Sequence, residues 1–459
     1  MSTLLSIVVP LTLFGQQEAR PPKPLAPEAV TSDWTRFLGP SNDCTSPETH
    51  LLKSWPAGGG PDVVWEMPTG EGYATPVIQG DRLVYFHRVG GEAVVECRHP
   101  ETGGRQWEFR YPTDYVDEYG YSNGPRCPPV IDGKRVYTYG SEGWLHCLRL
   151  DSGDVVWKRH LFAEYHLVQN FFGVGDTPLV EGDLVIVNLG APEGPCVLAL
   201  NKHTGETAWG AGDQWTPGYA SPVAATVHGR RLVFVFAGGK SDPPVGGLLV
   251  VDPKDGHERF RFPWRSRSYE SVNAVSPVVV EDQVFLTATY RTGSVLLDLK
   301  PDGGFEERWR SDEVGIHWTN PIEKDGYLYG FDGRWERDAR LVCVELATGQ
   351  VKWARQIELE DTFQYQGAER TVRLTPGRAS LLEVDGHFLC LGEFGHLVWL
   401  DLSPEGAEVI NHAWIVKSQH TWGMPVVSRG LLYVNQNEPD LDGNPPRLIC
   451  YDLRAAAKM

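Results

Sequence analysis

From residue 61 to residue 454 the chain repeats one alternation of apolar and polar positions. Each copy opens on or near a Pro, runs through alternating side chains to a tight turn, and alternates again. TPVIQGDRLVYF (75–86), PPVIDGKRVYTY (128–139), TPLVEGDLVIVN (177–188) and SPVAATVHGRRLVFVF (221–236) begin the series. SPVVVEDQVFLTA (276–288), NPIEKDGYLYGF (320–331), ASLLEVDGHFLCL (379–391) and MPVVSRGLLYVN (424–435) complete it. Period-two alternation around DG, EGD or RG predicts a β-hairpin. A second phrase follows, as in CVELATGQVKW (343–353), with a small apolar residue six before a Gly and a Trp four after it. It adds a third strand, a turn and a fourth strand. Eight copies, 44 to 59 residues apart, predict an all-β, eight-bladed β-propeller of four-stranded antiparallel blades.

The closing Trp of each phrase is read as Trp107, Trp157, Trp209, Trp309, Trp353 and, with looser spacing, Trp414; blade four carries Phe260 instead. A large flat ring suits the wedge between neighbouring sheets. The eighth copy ends at CYDLR (450–454) before any Trp, whereas PDVVWEMPTG (61–70) has Trp65 with no strands ahead of it. Pairing 62–67 with 448–453 completes blade eight and leaves the ring without an open edge. The expected layout is a signal-like segment at 1–18, an extension at 19–60, the propeller at 61–454 and a tail at 455–459.

Composition adds limits. The 50 Gly, 34 Pro and 16 Trp fit short strands and turns rather than long helices. A formal charge of −18 argues against nucleic acid as a partner, since phosphate binding needs concentrated Lys and Arg. MSTLLSIVVPLTLF at the start is too short to span a bilayer and has the apolar core of a secretory signal, so export to a periplasmic or extracellular site is expected. Cys97, Cys147, Cys343 and Cys450 share a slot held by Ala199 and Val250 in other copies, which predicts small buried thiols rather than disulfides. Cys44, Cys127, Cys196 and Cys390 fall outside that register, and their pairing is open.

With the copies aligned, the frame [A/C]-x-[D/E/N]-x-x-[T/S]-G-x-x-x-W resembles the quinoprotein (PQQ-like) propeller repeat over residues 61–454. DWTRFLGPSND (33–43) and SPETHLLKSWP (46–56) are similar to the N-terminal box of exported PQQ-like propellers of planctomycete-type bacteria. The ring also resembles an eight-bladed outer-membrane assembly scaffold. The resemblance implies a disc with a central funnel. In enzymes of the family it further implies PQQ held between a ring of two adjacent cysteines and a Trp, beside a Ca²⁺ bound by Glu, Asn and Asp. No two cysteines are adjacent here, and no Glu–Asn–Asp set matches residue by residue. The scaffold's lipidated Cys is also missing.

Loops just before each opening Pro converge on the funnel. They place Tyr73; Tyr121, Asn123 and Arg126; Asn170, Phe172 and Asp176; Trp215 and Tyr219 as candidates. Tyr269, Glu270 and Asn273; His317, Trp318 and Asn320; Arg373 and Arg378; and His420 and Trp422 continue the circle. Aromatic rings beside amide and guanidinium donors suit a flat or sugar-like ligand, and equally suit a self-filled funnel. Arg126 and Asp176 are placed to pair across it. Glu438, Asp440, Asp442 and Asn444 in EPDLDGN imitate the start of a Ca²⁺ loop but lack its distal Glu. Asp117-Glu118 and Glu360-Asp361 are read as solvated pairs. No nucleophile elbow, P-loop or zinc motif occurs, and no catalytic residue is assigned.

The sequence thus points to a non-catalytic exported platform, monomeric, that binds a protein partner or a small-molecule or glycan ligand at its funnel. A PQQ- and Ca²⁺-dependent alcohol or sugar dehydrogenase, and a carbohydrate-binding propeller, are the alternatives.

Overall fold

A computed structural model describes residues 20–455 apart from positions 57 and 192; the signal-like segment 1–18 and residues 456–459 lie outside it. Eight antiparallel sheets follow one another along the chain. Their first strands are Val77–Gln79, Val130–Asp132, Leu179–Glu181, Val223–Val227, Val278–Val280, Ile322–Lys324, Ser380–Val384 and Val426–Ser428. These short strands are the innermost of each blade, and those of blades one to four and of blades five to seven touch in succession. Among the described residues the only helix is Leu161–Glu164, and no helix is long and apolar enough to cross a membrane. The first hairpins turn as the sequence requires. Asp325-Gly326 and Asp385-Gly386 both hold positive φ at the two central positions, as the twist of a two-residue hairpin demands.

Asp62–Pro68 pairs antiparallel with Arg447–Asp452, setting Trp65 opposite Cys450. The N-terminal strand therefore finishes blade eight and closes the ring. The hydrophobic clusters lie between blades: one joins Tyr137 and Trp157 of blade two to Val185 and Leu200 of blade three. All eight cysteines are free and buried, and burial pushes the Cys97 thiol up to about 12.

The recurring Trp has a defined task. The indole Nε1 of Trp65, Trp107, Trp157, Trp209, Trp309 and Trp353 donates to Pro100, Leu150, Lys202, Pro253, Leu346 and Ser403 of the next blade, at 2.7 to 3.0 Å. In five of these seams the ring lies against the turn Gly. A Cβ on Gly153 would meet Trp107 at 2.5 Å, and one on Gly256 would meet Trp209 at 2.5 Å. The Gly and the Trp in the repeated phrase thus belong to opposite sides of a seam.

Two seams differ. Phe260 packs on Phe305 of blade five (centroids 4.8 Å apart) but has no N–H to give. The waiting carbonyl, Leu299 O, lies 2.8 Å from His228 Nε2 on a blade-four turn and takes its hydrogen bond from that ring. In blade seven the expected closing residue is corrected. Trp414 pairs with His396, and the position beside the bulge at Trp399 belongs to Asn411. The spacing misled because this blade has a tighter outer hairpin, turning at Ser403–Gly406. Here the extension supplies the missing parts. Trp55 Nε1 donates to His412 O at 2.8 Å and Asn411 Nδ2 donates to Trp55 O. Trp399 Nε1 donates to Leu52 O, and Leu52 N donates to Leu453 O of blade eight.

The extension also braces one end of the ring. Trp34 is fully buried and bridges Ile78 of blade one, and Ile131 of blade two donates its N–H to Thr35 O. Thr45–Ser46 pairs in parallel with the first strand of blade seven. The buried Glu48 carboxylate takes the N–H groups of Ser32, Arg429 and Gly430. Burial outweighs those bonds and raises its pKa. These contacts sit at the ends of the first hairpins, opposite the loops that enter the inner strands.

Candidate functional site

At the open end the sequence-selected aromatics meet. Trp422 lies 5.0 Å from Tyr73, 5.4 Å from Tyr121, 4.5 Å from His420 and 6.0 Å from Trp318, centroid to centroid. Phe172 continues the layer to Tyr121 and Tyr219. Arg126 sits over both Tyr73 and Phe172, and Arg378 over Trp422. Rings from blades one, two, three, four, six and eight therefore form one layer across the channel mouth. Burial raises the Tyr73 and Tyr219 phenols.

Both guanidinium groups are already matched. Arg126 pairs with Asp117, not with Asp176, its Nη2 lying 2.5 Å from Oδ2. Asp117 is buried, which also corrects its reading as a solvated carboxylate. Asp176 instead accepts the Asn188 N–H within blade three; burial pushes its pKa up to about 7. Arg378 forms a buried pair with Glu393, whose carboxylate also takes the Trp422 indole N–H at 2.7 Å. His317 lies 3.1 Å from the Tyr290 hydroxyl and 3.5 Å from Arg378. Burial, reinforced by Arg378, lowers its pKa to about 3, so it stays neutral.

The amides serve as staples between connections. Asn123 donates to Glu71, Asn170 to Pro217 O, Asn273 to Ala237 O and Trp264 O, and Asn320 to Ser276 O. Trp215 is buried between blades three and four, beneath Arg261, and lies outside the aromatic layer. Arg373 is also displaced from the mouth. It belongs to the hairpin Leu359–Tyr365 and Ala368–Leu374, where it pairs with Glu360. Asp361 of that hairpin is not simply solvated either, since it faces His396 and His412 of blade seven.

The calcium-like loop spends its oxygens on other partners. Asp440 accepts from Asp442 N, Asn444 N, Asn444 Nδ2 and Arg447. Glu438 pairs with His420 at 2.6 Å, and Asp442 with Lys417 at 3.1 Å. Among the described residues no group of three or more His, Cys, Asp or Glu is placed to hold a metal ion. The mouth does not fit PQQ either: its rings pack on each other, and its cations already hold carboxylates. Glu393, in the turn LGEFG, is the residue that sequence reasoning missed. A carboxylate between two turn glycines looks like solvent-facing punctuation, and nothing in its spacing points to Arg378.

A family model described as outer membrane protein assembly factor BamB matches residues 91–355. No curated protein matches the chain in sequence. Among solved structures, BamB from Moraxella catarrhalis is similar at TM-score 0.53 and 15% identity, covering 87% of this chain and 100% of that one. The quinohemoprotein alcohol dehydrogenase from Comamonas testosteroni is similar at TM-score 0.61 and 12% identity, covering 93% and 81%. A europium-containing methanol dehydrogenase is similar at TM-score 0.62 and 10% identity, covering 92% and 98%. At these identities the likenesses concern the fold alone.

Proposed function

This chain belongs to the family described as outer membrane protein assembly factor BamB, and from that premise we propose that it is a non-catalytic, exported platform for a protein partner. The observation that carries the reading is the self-filled channel mouth. Its rings pack on one another, and Arg126 and Arg378 hold Asp117 and Glu393. A cofactor or substrate entering there would have to displace that packing and leave buried charges unpaired, which costs several kcal/mol.

The rim around the mouth remains available. Val116, Tyr119, Tyr121, Val168 and Tyr269 are exposed on neighbouring connections. Tyr119 and Tyr269 rest on Phe171, which fixes their orientation. Preset aromatic side chains beside the Lys240–Glu118 pair suit a protein interface, where such rings supply contact area at little entropic cost. Of the residues selected from sequence, Tyr121 and Tyr269 belong to that rim, and His420 packs against Tyr121 beneath it.

The test has two arms. Co-purification from the native envelope should recover a stoichiometric partner that Tyr119→Asp with Val168→Asp releases, with melting unchanged. Titration with PQQ and Ca²⁺ should show no uptake at micromolar concentration. Stoichiometric uptake together with dye-linked oxidation of alcohols would overturn the platform in favour of a dehydrogenase.

A further inference from the structure

A cleft of about 950 Å³ opens between blades five and six, beside the channel mouth, where its Tyr290 meets His317 and its Arg334 carbonyl accepts from Arg378. Its walls come from the second-to-third strand turn of blade five, the corresponding loop of blade six, and the connection that joins the two blades. Trp335 stands in it with 52% of its surface exposed. An exposed indole is normally mobile, but this one is held. Arg334 stacks on it at 4.8 Å and, at 4.3 Å, on Tyr290 of blade five. The Trp335 backbone N–H donates to Asp338 at 2.9 Å. Tyr290 and Arg291 both adopt φ of 62°, a costly conformation for two successive side-chain-bearing residues. That turn brings Tyr290 to the guanidinium.

From this cleft we infer a binding site for a neutral saccharide chain, with Trp335 as its stacking platform. Arg340 and Asp332 pair with each other and Asp338 takes the Trp335 N–H, which leaves the Arg291 and Arg334 guanidinium groups and the Asp312 and Glu313 carboxylates to a ligand. Near-balanced charge of both signs favours neither a polyanion nor a polycation. It suits a ligand whose every hydroxyl both donates and accepts: carboxylates take the donated hydrogens, while guanidinium groups and the Gln356 amide supply them. The indole offers an apolar face for the C–H side of a pyranose ring. The volume lies near the top of the range of about 300–1,000 Å³ for ligand pockets, enough for several linked rings. The cleft adjoins the partner-binding rim at Ser268, but the inference does not rest on that reading and survives if it fails.

The experiment is calorimetric titration of the full chain with three neutral hexasaccharides: β-1,4-linked glucose, α-1,4-linked glucose and β-1,4-linked N-acetylglucosamine. At least one should bind, and Trp335→Ala should weaken it about tenfold or more, with Trp335→Phe recovering part of the loss. Glu313→Gln should weaken the same ligand. The thermal melt of each variant should match the parent, since both side chains are exposed. Absence of heat from all three sugars at millimolar concentration overturns the proposal. So does binding that Trp335→Ala leaves unchanged, or binding lost with Tyr121→Ala instead.

Discussion

Six seams of the ring are joined by a Trp from one blade lying on the turn of the next, while the seams after blades four and seven are joined differently. What persists through all eight is not the indole. It is a hydrogen bond to one carbonyl at the third-strand turn, together with an apolar body filling the wedge. Seam four divides the two jobs between Phe260 and His228. Seam seven passes them to the extension, where Trp55 rests on the outer strand of blade seven and Leu52 relays the hydrogen bond to Leu453. A buried carbonyl left without a donor costs about 1–3 kcal/mol, which is reason enough for a substitute wherever the Trp is lost.

This comparison can be broken in five ways. The largest effect is expected from deleting residues 61–67, which removes Trp65 and the strand that pairs with Arg447–Asp452. Blade eight would then present an open edge, and the ring should unfold or aggregate, visible as loss of the parent's size-exclusion peak and of cooperative melting. An unchanged melt would end the closure model. Next, Trp353→Ala in a regular seam should cost about 3–5 kcal/mol in denaturant unfolding, since the ring is buried and its donor is lost with it. Trp399→Phe tests the relayed seam: loss of the Nε1 donor and part of a fully buried ring should cost about 2–3 kcal/mol. Equal stability of parent and variant would remove Leu52 from the seam.

The divided seam allows a rescue. His228→Ala should cost about 1 kcal/mol, and adding Phe260→Trp should restore most of it by offering Leu299 O an indole donor. The smallest effect is local and depends on pH. At Asp361, burial is outweighed by hydrogen bonds from His396 and His412, so its pKa falls below the usual range. Its hydrogen bond to Asp361 raises that of His412. A depressed acid stabilises above its unfolded value and loses that contribution as pH falls. A raised base stabilises below its unfolded value and loses it as pH climbs through the folded one. The hairpin at 359–374 should therefore be held best between about pH 4 and 6.5. Amide exchange in Ala368–Leu374, corrected for intrinsic rate, should quicken above that window, and His412→Asn should abolish the alkaline change.

Much of the architecture was legible because each blade is written locally. The alternation, the turn residues and the Trp phrase all act within a few tens of residues, and the closing strand betrayed itself by a Trp with no blade around it. Blade seven escaped because its closing position holds no Trp: the looser spacing settled on Trp414, whereas the tighter outer hairpin puts Asn411 beside the bulge. At the mouth, the aromatic members were found because loop position alone put them there. Their partners were not. Asp117 was read as a solvated carboxylate, Glu393 drew no notice, and Arg126 was matched with the wrong acid because nothing in the spacing ranks Asp117 above Asp176.

Sequence by itself therefore determined the count of blades, their strand order and the closure of the ring. Those follow from short-range alternation, from turn chemistry, and from the need to bury one face of each sheet on the next. Only the tertiary structure decided that the extension braces one end, that the cations at the other end are already paired, and that a polar cleft opens between blades five and six. Each of these joins residues far apart in the chain with no shared period, so their meeting is set by how the closed ring brings loops together in space.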